Sequence, residues 1–405
     1  MAKEINQLTK GTASFNIVGK ALINSYTFTL DKESRNGSDW VYNQMQLKVH
    51  VGEYGDIKSE MMGGYGSERD NVVYVHGRKD DNKDDFKNSF TIAWEDRFDE
   101  EVLKTIGDMC FITVGLEKDE SEKVVYKKFL TQYDAITYIK EHLKDGETIN
   151  VKGNLSYQIY NGNLSVKKEI TSIVLSSAEE KDFKAIFTQT LLVESDGVGK
   201  PNKETRTLPI TAYVVDFANE FDGKNIIRMV NGKKKKGTNI PMVKEFDFKI
   251  GEDIEKAKKM VKYFKAKNKK VTEITVEGIF KQGGNLETQQ VTLDDIPDDI
   301  KELIELGLYD EKEILDKQAF ANGANKTPEE MLIIRPRVNM VGDDGNKTPQ
   351  MAVDPDKYNE EDLYIDNVLE VNGAKFDTSE GEVEDLTEET EVEEDDIFSD
   401  DDWDF

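Results

Sequence analysis

A pattern that occurs twice along the chain constrains its fold more than any other feature. Residues 133–144 carry apolar side chains at helical spacing (Ala135, Ile136, Ile139, Leu143) and lead to Gly146. An extended segment containing Val151-Lys152-Gly153 follows, then Asn161-Gly162, then a second extended segment from Asn163-Leu164 to Leu175. In the second half, residues 254–264 are again helical in spacing and the next extended segment contains Val276-Glu277-Gly278. Gly283-Gly284 marks a turn, and Asn285-Leu286 opens a segment ending at Leu293. Asn-Gly and Gly-Gly are the hairpin turns that match the twist of paired strands.

Upstream of each helix lie β-rich stretches. They span 13–30, 40–51, 71–75, 90–94 and 111–116 in the first copy, and 183–193, 205–217, 226–230 and 243–250 in the second. Several strands, one helix and a terminal hairpin is the order of the OB-fold, a small Greek-key barrel. Other small β architectures share that order of elements. Gly153 and Gly278 are expected at the sharp bends of a barrel strand. The fold class expected is mainly β (α+β), with two tandem OB-fold-like barrels. The first domain is set at 1–178 and the second at 182–376, the latter with a helical elaboration. Within it, 298–318 reads as amphipathic helix and 364–371 has strand character.

Net charge refines this picture. The 405 residues carry 82 Asp+Glu against 54 Lys+Arg, a formal charge of -28. Residues 377–405 hold 16 of the acids and no base, which leaves -12 for the remainder. A run so acidic buries too little apolar surface to order itself, so 377–405 is expected to be a disordered acidic tail. Between Lys224 and Lys270, by contrast, 16 bases face five acids. No apolar run approaches the length of a membrane span, and the first residues lack a signal-peptide core. A soluble, cytoplasmic protein is expected, with no membrane partner. One cysteine, Cys110, and three histidines give no usual zinc spacing, so no metal and no cofactor are expected. Phosphate-loop, nucleophile-elbow and zincin motifs are missing, and the glycines at 63, 64 and 66 read as a loop without a helix behind it. An enzyme is not expected.

Aromatic side chains beside bases on strands stand out. Trp40 and Tyr42 share one face of a strand, and Tyr74 leads to Arg78 and Lys79. Trp94 precedes Arg97, Tyr126 adjoins Lys128, and Lys152 lies ahead of Tyr157 and Tyr160. In the second copy, Lys233, Lys234, Lys235 and Lys236 form a glycine-bounded loop ahead of Phe246, with Phe280 on the later strand. Cations for phosphates and flat rings for unstacked bases are what single-stranded nucleic acid requires. Core packing is the competing reading for every one of these rings.

The chain ends in Asp400-Asp401-Asp402-Trp403-Asp404-Phe405. With two OB-like repeats ahead of that ending, it resembles the single-stranded DNA-binding proteins with OB-folds and an acidic C-terminal tail. In that family the tail ends in aspartates, apolar residues and a terminal Phe, and it docks replication, recombination and repair proteins. Asp400, Asp401, Asp402 and Phe405 match; Trp403 and Asp404 stand where the bacterial family has Ile-Pro. The bacterial family usually has one shorter OB domain per chain and forms tetramers, so two units here imply a different assembly; the long loops and low similarity resemble a phage-encoded version. The resemblance implies single-stranded DNA as ligand and replication or recombination proteins as partners of the tail. An all-β virion or tail protein, and an RNA-binding or recombination-mediator OB protein, are the alternatives.

Overall fold

The computed structural model describes residues 5–34, 38–79, 83–160, 163–230, 232–282, 296–297, 300–301, 304, 329–342 and 346–377. The chain is mainly β. Its first unit runs through β1 (Ala13–Leu22), β2 (Phe28–Glu33), β3 (Trp40–His50), β4 (Asp56–Gly66), β5 (Val72–Arg78) and β6 (Asp84–Ala93). Next come α1 (Glu100–Thr105), β7 (Ile112–Lys118), β8 (Val124–Phe129), α2 (Gln132–His142), β9 (Thr148–Tyr160) and β10 (Asn163–Leu175). Pairing runs in a ring: β1 with β3, β3 with β4, β4 with β10 in parallel, β10 with β9, and β9 with β1. The Thr131 hydroxyl accepts the Asp134 N–H to start α2, which buries Ala135, Ile136 and Ile139.

The second unit repeats the plan. It contains β11 (Lys184–Glu194), β12 (Thr207–Ala218), β13 (Glu220–Phe221), β14 (Lys224–Val230), β15 (Lys233–Lys236) and β16 (Thr238–Lys249). After α3 (Ile254–Val261) come β17 (Lys270–Gln282), β18 (Glu329–Pro336), β19 (Val338–Val341) and β20 (Thr348–Met351). β21 (Val353–Asn359), α4 (Ile365–Val371) and β22 (Ala374–Phe376) complete it. Here the ring is β11, β12, β16, β18, β17 and back to β11, again with one parallel step, between β16 and β18. The Asp253 side chain caps α3, which buries Ala257 and Val261.

The two rings share a seam. β1 pairs antiparallel with β11, with Phe15 opposite Phe187. Phe15 also faces Gly153, and Phe187 faces Gly278. A row of Gly, Phe, Phe and Gly therefore crosses four strands symmetrically. A Cβ on Gly278 would lie 2.2 Å from Phe187 Cζ, and one on Gly153 would lie 1.9 Å from the Glu169 carbonyl oxygen. Both glycines thus serve close approach of a neighbouring strand. Gly278→Ala forces a methyl into a fully buried ring and is expected to cost about 1–3 kcal/mol, read as a lower urea midpoint. An unchanged midpoint contradicts this packing.

Polar bonds also tie the seam. Buried Asp216 on β12 accepts the N–H of Tyr157 at 2.9 Å and of Phe217 at 2.8 Å, and pairs with Lys10. The Tyr157 hydroxyl donates to Gln189 Oε1 at 3.0 Å. At the start of the chain, Asn6 donates from its backbone and its side-chain amide to buried Asp362, 2.9 Å each. One hydrophobic core runs through both units, and a smaller separate cluster gathers Val75, Ile92, Ile106, Phe111 and Leu130 in the first.

The fifth ring strand of the second unit, Glu329–Pro336, runs antiparallel to β17; the strand expected at 285–293 lies outside the described residues. Three expectations are corrected. Residues 364–371 are mostly α4, because Ile365, Val368 and Leu369 recur at helical spacing and the last two are buried. Gly63, Gly64 and Gly66 belong to strand β4, where Gly64 sits too close to the Val41 carbonyl for any side chain. The four-lysine segment is strand β15, paired to β14, and not a loop. The expected helix at 298–318 and the turns at 161–162 and 283–284 fall almost wholly outside the described residues. Of the expected tail, only Asp377 is described. Among the described residues no helix is long and apolar enough to cross a membrane.

Candidate nucleic-acid interface

Strand alternation sorts β3 into two faces. Asn43, Met45, Leu47 and Val49 are buried inward. The buried Asn43 amide donates to the Tyr133 carbonyl at 2.9 Å and to Thr137 Oγ1 at 3.0 Å, locking that face onto α2. A one-residue slip would flip every side chain, so this lock fixes Trp40, Tyr42, Gln44, Gln46 and Lys48 on the outside. Each faces a β4 residue: Trp40 opposite Gly66, Tyr42 opposite Gly64, Gln44 opposite Met62, Gln46 opposite Glu60 and Lys48 opposite Lys58. Lys32 of β2 stands on the other side of Tyr42. The result is an outer strip with two half-buried rings at one end and a pair of ammonium groups at the other. Gly64 places no side chain beside the Tyr42 ring, while Arg69 and Asp39 pair at 3.3 Å over Gly66.

The corresponding face of the second unit differs in charge. There Tyr213 faces Val243, Thr211 faces Glu245 and Pro209 faces Asp247. These acids open onto a cleft of about 870 Å³ that also takes Glu53 and Glu330, against Lys200, Lys249 and Lys281. Four carboxylates against three ammonium groups make poor lodging for a phosphate backbone.

The other expected site residues separate into groups. Tyr157, Phe246 and Phe280 are each about 1% exposed or less, so no base reaches them, and burial raises the Tyr157 phenol pKa. They are core residues, a correction to their expected role. Trp94 lies in a ring cluster, 5.5 Å from Tyr65 and 6.1 Å from Tyr133. Its face is covered by the Arg97 guanidinium at 4.3 Å, which Asp134 holds at 2.8 Å. Tyr74 and Tyr126 are 82% and 61% exposed, on β5 and β8. Arg78 and Lys128 converge on Asp108, at 2.5 and 2.9 Å, and the Lys128 bond holds that carboxyl below the usual range. Lys79 and Lys152 are exposed. Lys233, Lys234, Lys235 and Lys236 are exposed too, with Lys234 bonded to Asp377 at 2.7 Å. The side chain of Tyr160 and residues Asp400, Asp401, Asp402, Trp403, Asp404 and Phe405 lie outside the described residues.

Lys32, Lys48, Lys58 and Met62 were not anticipated. Lys48 was legible, since it continues the Trp40 and Tyr42 parity. Cys110 Sγ lies 3.2 Å from His76 Nδ1, and His76 Nε2 lies 2.7 Å from Asp84 Oδ1. Burial raises the Cys110 thiol pKa, the opposite of what an activated nucleophile needs. Among the described residues no group of three or more His, Cys, Asp or Glu side chains is placed to hold a metal ion.

A protein-family model described as YorF matches residues 107–295, less than half of the chain. No curated protein matches it. Among solved structures, the chain is similar to a deletion mutant of the single-stranded DNA binding protein from Thermus aquaticus. The two are 9% identical, the match covers 67% of this chain and 88% of that one, and the TM-score is 0.27. A likeness at that level carries no weight for fold or function.

Proposed function

We propose that the chain binds single-stranded DNA without strong sequence preference, on the outer face of β3 and β4, and that each ring is an OB-fold barrel. The parallel step joins the third and fifth ring strands, and α2 and α3 each fall between the third and fourth. In OB-folds the face of strands two and three binds oligonucleotides. β3 and β4 are those strands in the first unit. The observation that carries the reading is their outer strip, Trp40 and Tyr42 at one end and Lys48 and Lys58 at the other. Bases stack on rings for about 1–3 kcal/mol each, and the lysines take phosphates with release of counterions. A body charged -12 outside its tail confines DNA to such a local strip.

The tail then recruits replication, recombination or repair proteins and competes with DNA for cations. Supporting that role, β22 pairs with β14 and delivers Asp377, where the acidic run begins, to Lys234. No catalytic step is assigned. Titration with oligo-dT at two salt concentrations tests the reading. Saturable tryptophan quenching that weakens as salt rises is expected. Absence of both quenching and a gel shift at low salt contradicts it, and equal competition by poly-U extends the ligand to RNA.

A further inference from the structure

Lys48 and Lys58 stand directly opposite each other on paired strands, where like charges repel. The parallel pair Glu60–Glu169 sets a register that puts Lys58 level with Lys167 of β10. Lys167 reaches Glu60 at 3.5 Å. Lys168, only 7% exposed, crosses from the first unit to pair with Glu329 of the second, its ammonium 4.5 Å from the Phe280 ring centre. On the far side, the parallel pair Asp247–Leu332 puts Lys244 of β16 level with Glu329. Five ammonium groups thus gather with three carboxylates, Glu60, Glu169 and Glu329, along β3, β4, β10, β18 and β16. Burial lowers the pKa of Lys244, and the Lys168 charge lowers it further while Glu329 opposes. Burial and then the Lys48 charge lower that of Lys58. An anion across the row relieves this crowding.

We propose that the lysine row binds phosphodiester groups of one continuous strand, leading it from the β3–β4 face across the seam onto the second unit. This rests on the single-strand reading above and adds its path. Lys58 and Lys244 mark the two sides of the crossing, and neither belongs to the expected set of binding residues. The row lies on neither the acidic β12–β16 face nor the lysine hairpin of β14 and β15. It therefore makes the seam itself part of the ligand site.

The test uses the full chain, with K58Q, K244Q and the double variant. One dT oligomer of about 8 nucleotides fits a single OB unit, and one of about 30 spans both. For the long oligomer, each substitution is expected to reduce the slope of log K against log salt by about 0.7. K244Q is expected to leave the short oligomer's affinity unchanged, and K58R and K244R to restore the long one's slope. Lys58 is exposed, so K58Q tests the row even where K244Q perturbs folding. Unchanged slopes in variants of a protein that binds dT overturn the path alone. Failure of the unaltered protein to bind any dT oligomer overturns the underlying reading with it. Thermal stabilisation by inorganic phosphate that K58Q and K244Q abolish, with dT binding unaffected, marks a small-anion site and also overturns the path.

Discussion

Replacing Trp40 and Tyr42 together by alanine is expected to weaken oligo-dT binding by about 30-fold or more while leaving the fold intact. The size follows from stacking: each base on a ring contributes about 1–3 kcal/mol, so two lost platforms cost about 2 kcal/mol at the least. Both side chains sit on the outer face of β3, while the inner face keeps Met45, Leu47 and Val49 and the Asn43 lock on α2. Since the phosphate contacts remain, the salt slope is expected to stay unchanged as the affinity falls. That combination separates lost stacking from lost charge. Affinity equal to that of the unaltered protein would remove Trp40 and Tyr42 from the interface.

Asp216→Ala is expected to cost about 2 kcal/mol or more, because the buried Tyr157 N–H loses a charged acceptor worth about 1.5–3 kcal/mol and the part-buried Phe217 N–H loses one as well. Tyr157 belongs to the first unit and Asp216 to the second, so the larger loss falls on the seam between the rings. Lys10 loses its partner as well, but its side chain is 44% exposed and water replaces that contact at little cost. One core spans both units. Urea unfolding is therefore expected as one transition whose midpoint falls and whose slope does not change. An unchanged midpoint would show that Asp216 does not hold the seam.

Much of the fold was written in alternation and turn residues. The helix and hairpin of the first unit follow from Ala135, Ile136 and Ile139 and from the extended runs on either side of Asn161-Gly162. β4 was missed because glycines at 63, 64 and 66 remove the β-forming signal from a strand whose backbone must approach Val41. The fifth strand of the second unit was missed for a different reason. Residues 283–328 separate it from β17, and no local pattern pairs segments so far apart. For the site, parity along a strand held more than was taken from it. Ile149, Val151 and Leu155 share the parity of Tyr157, and Ile240, Met242 and Phe248 share that of Phe246, which marks both rings as inward. Trp40 and Tyr42 lie on the parity opposite Met45, Leu47 and Val49, and that marks them as outward. The lysine row was out of reach, since its members come from both repeats and meet only where the rings join.

Trp40 reports most directly on the central claim. The chain has three tryptophans, Trp40, Trp94 and Trp403. In a W94F/W403F chain, fluorescence comes from Trp40 alone, on the strip itself. Titration with oligo-dT is predicted to quench it saturably, at a midpoint that shifts to weaker binding as salt rises. An unquenched Trp40 in a protein that still retards oligo-dT in a gel would place the DNA elsewhere and contradict the β3–β4 interface.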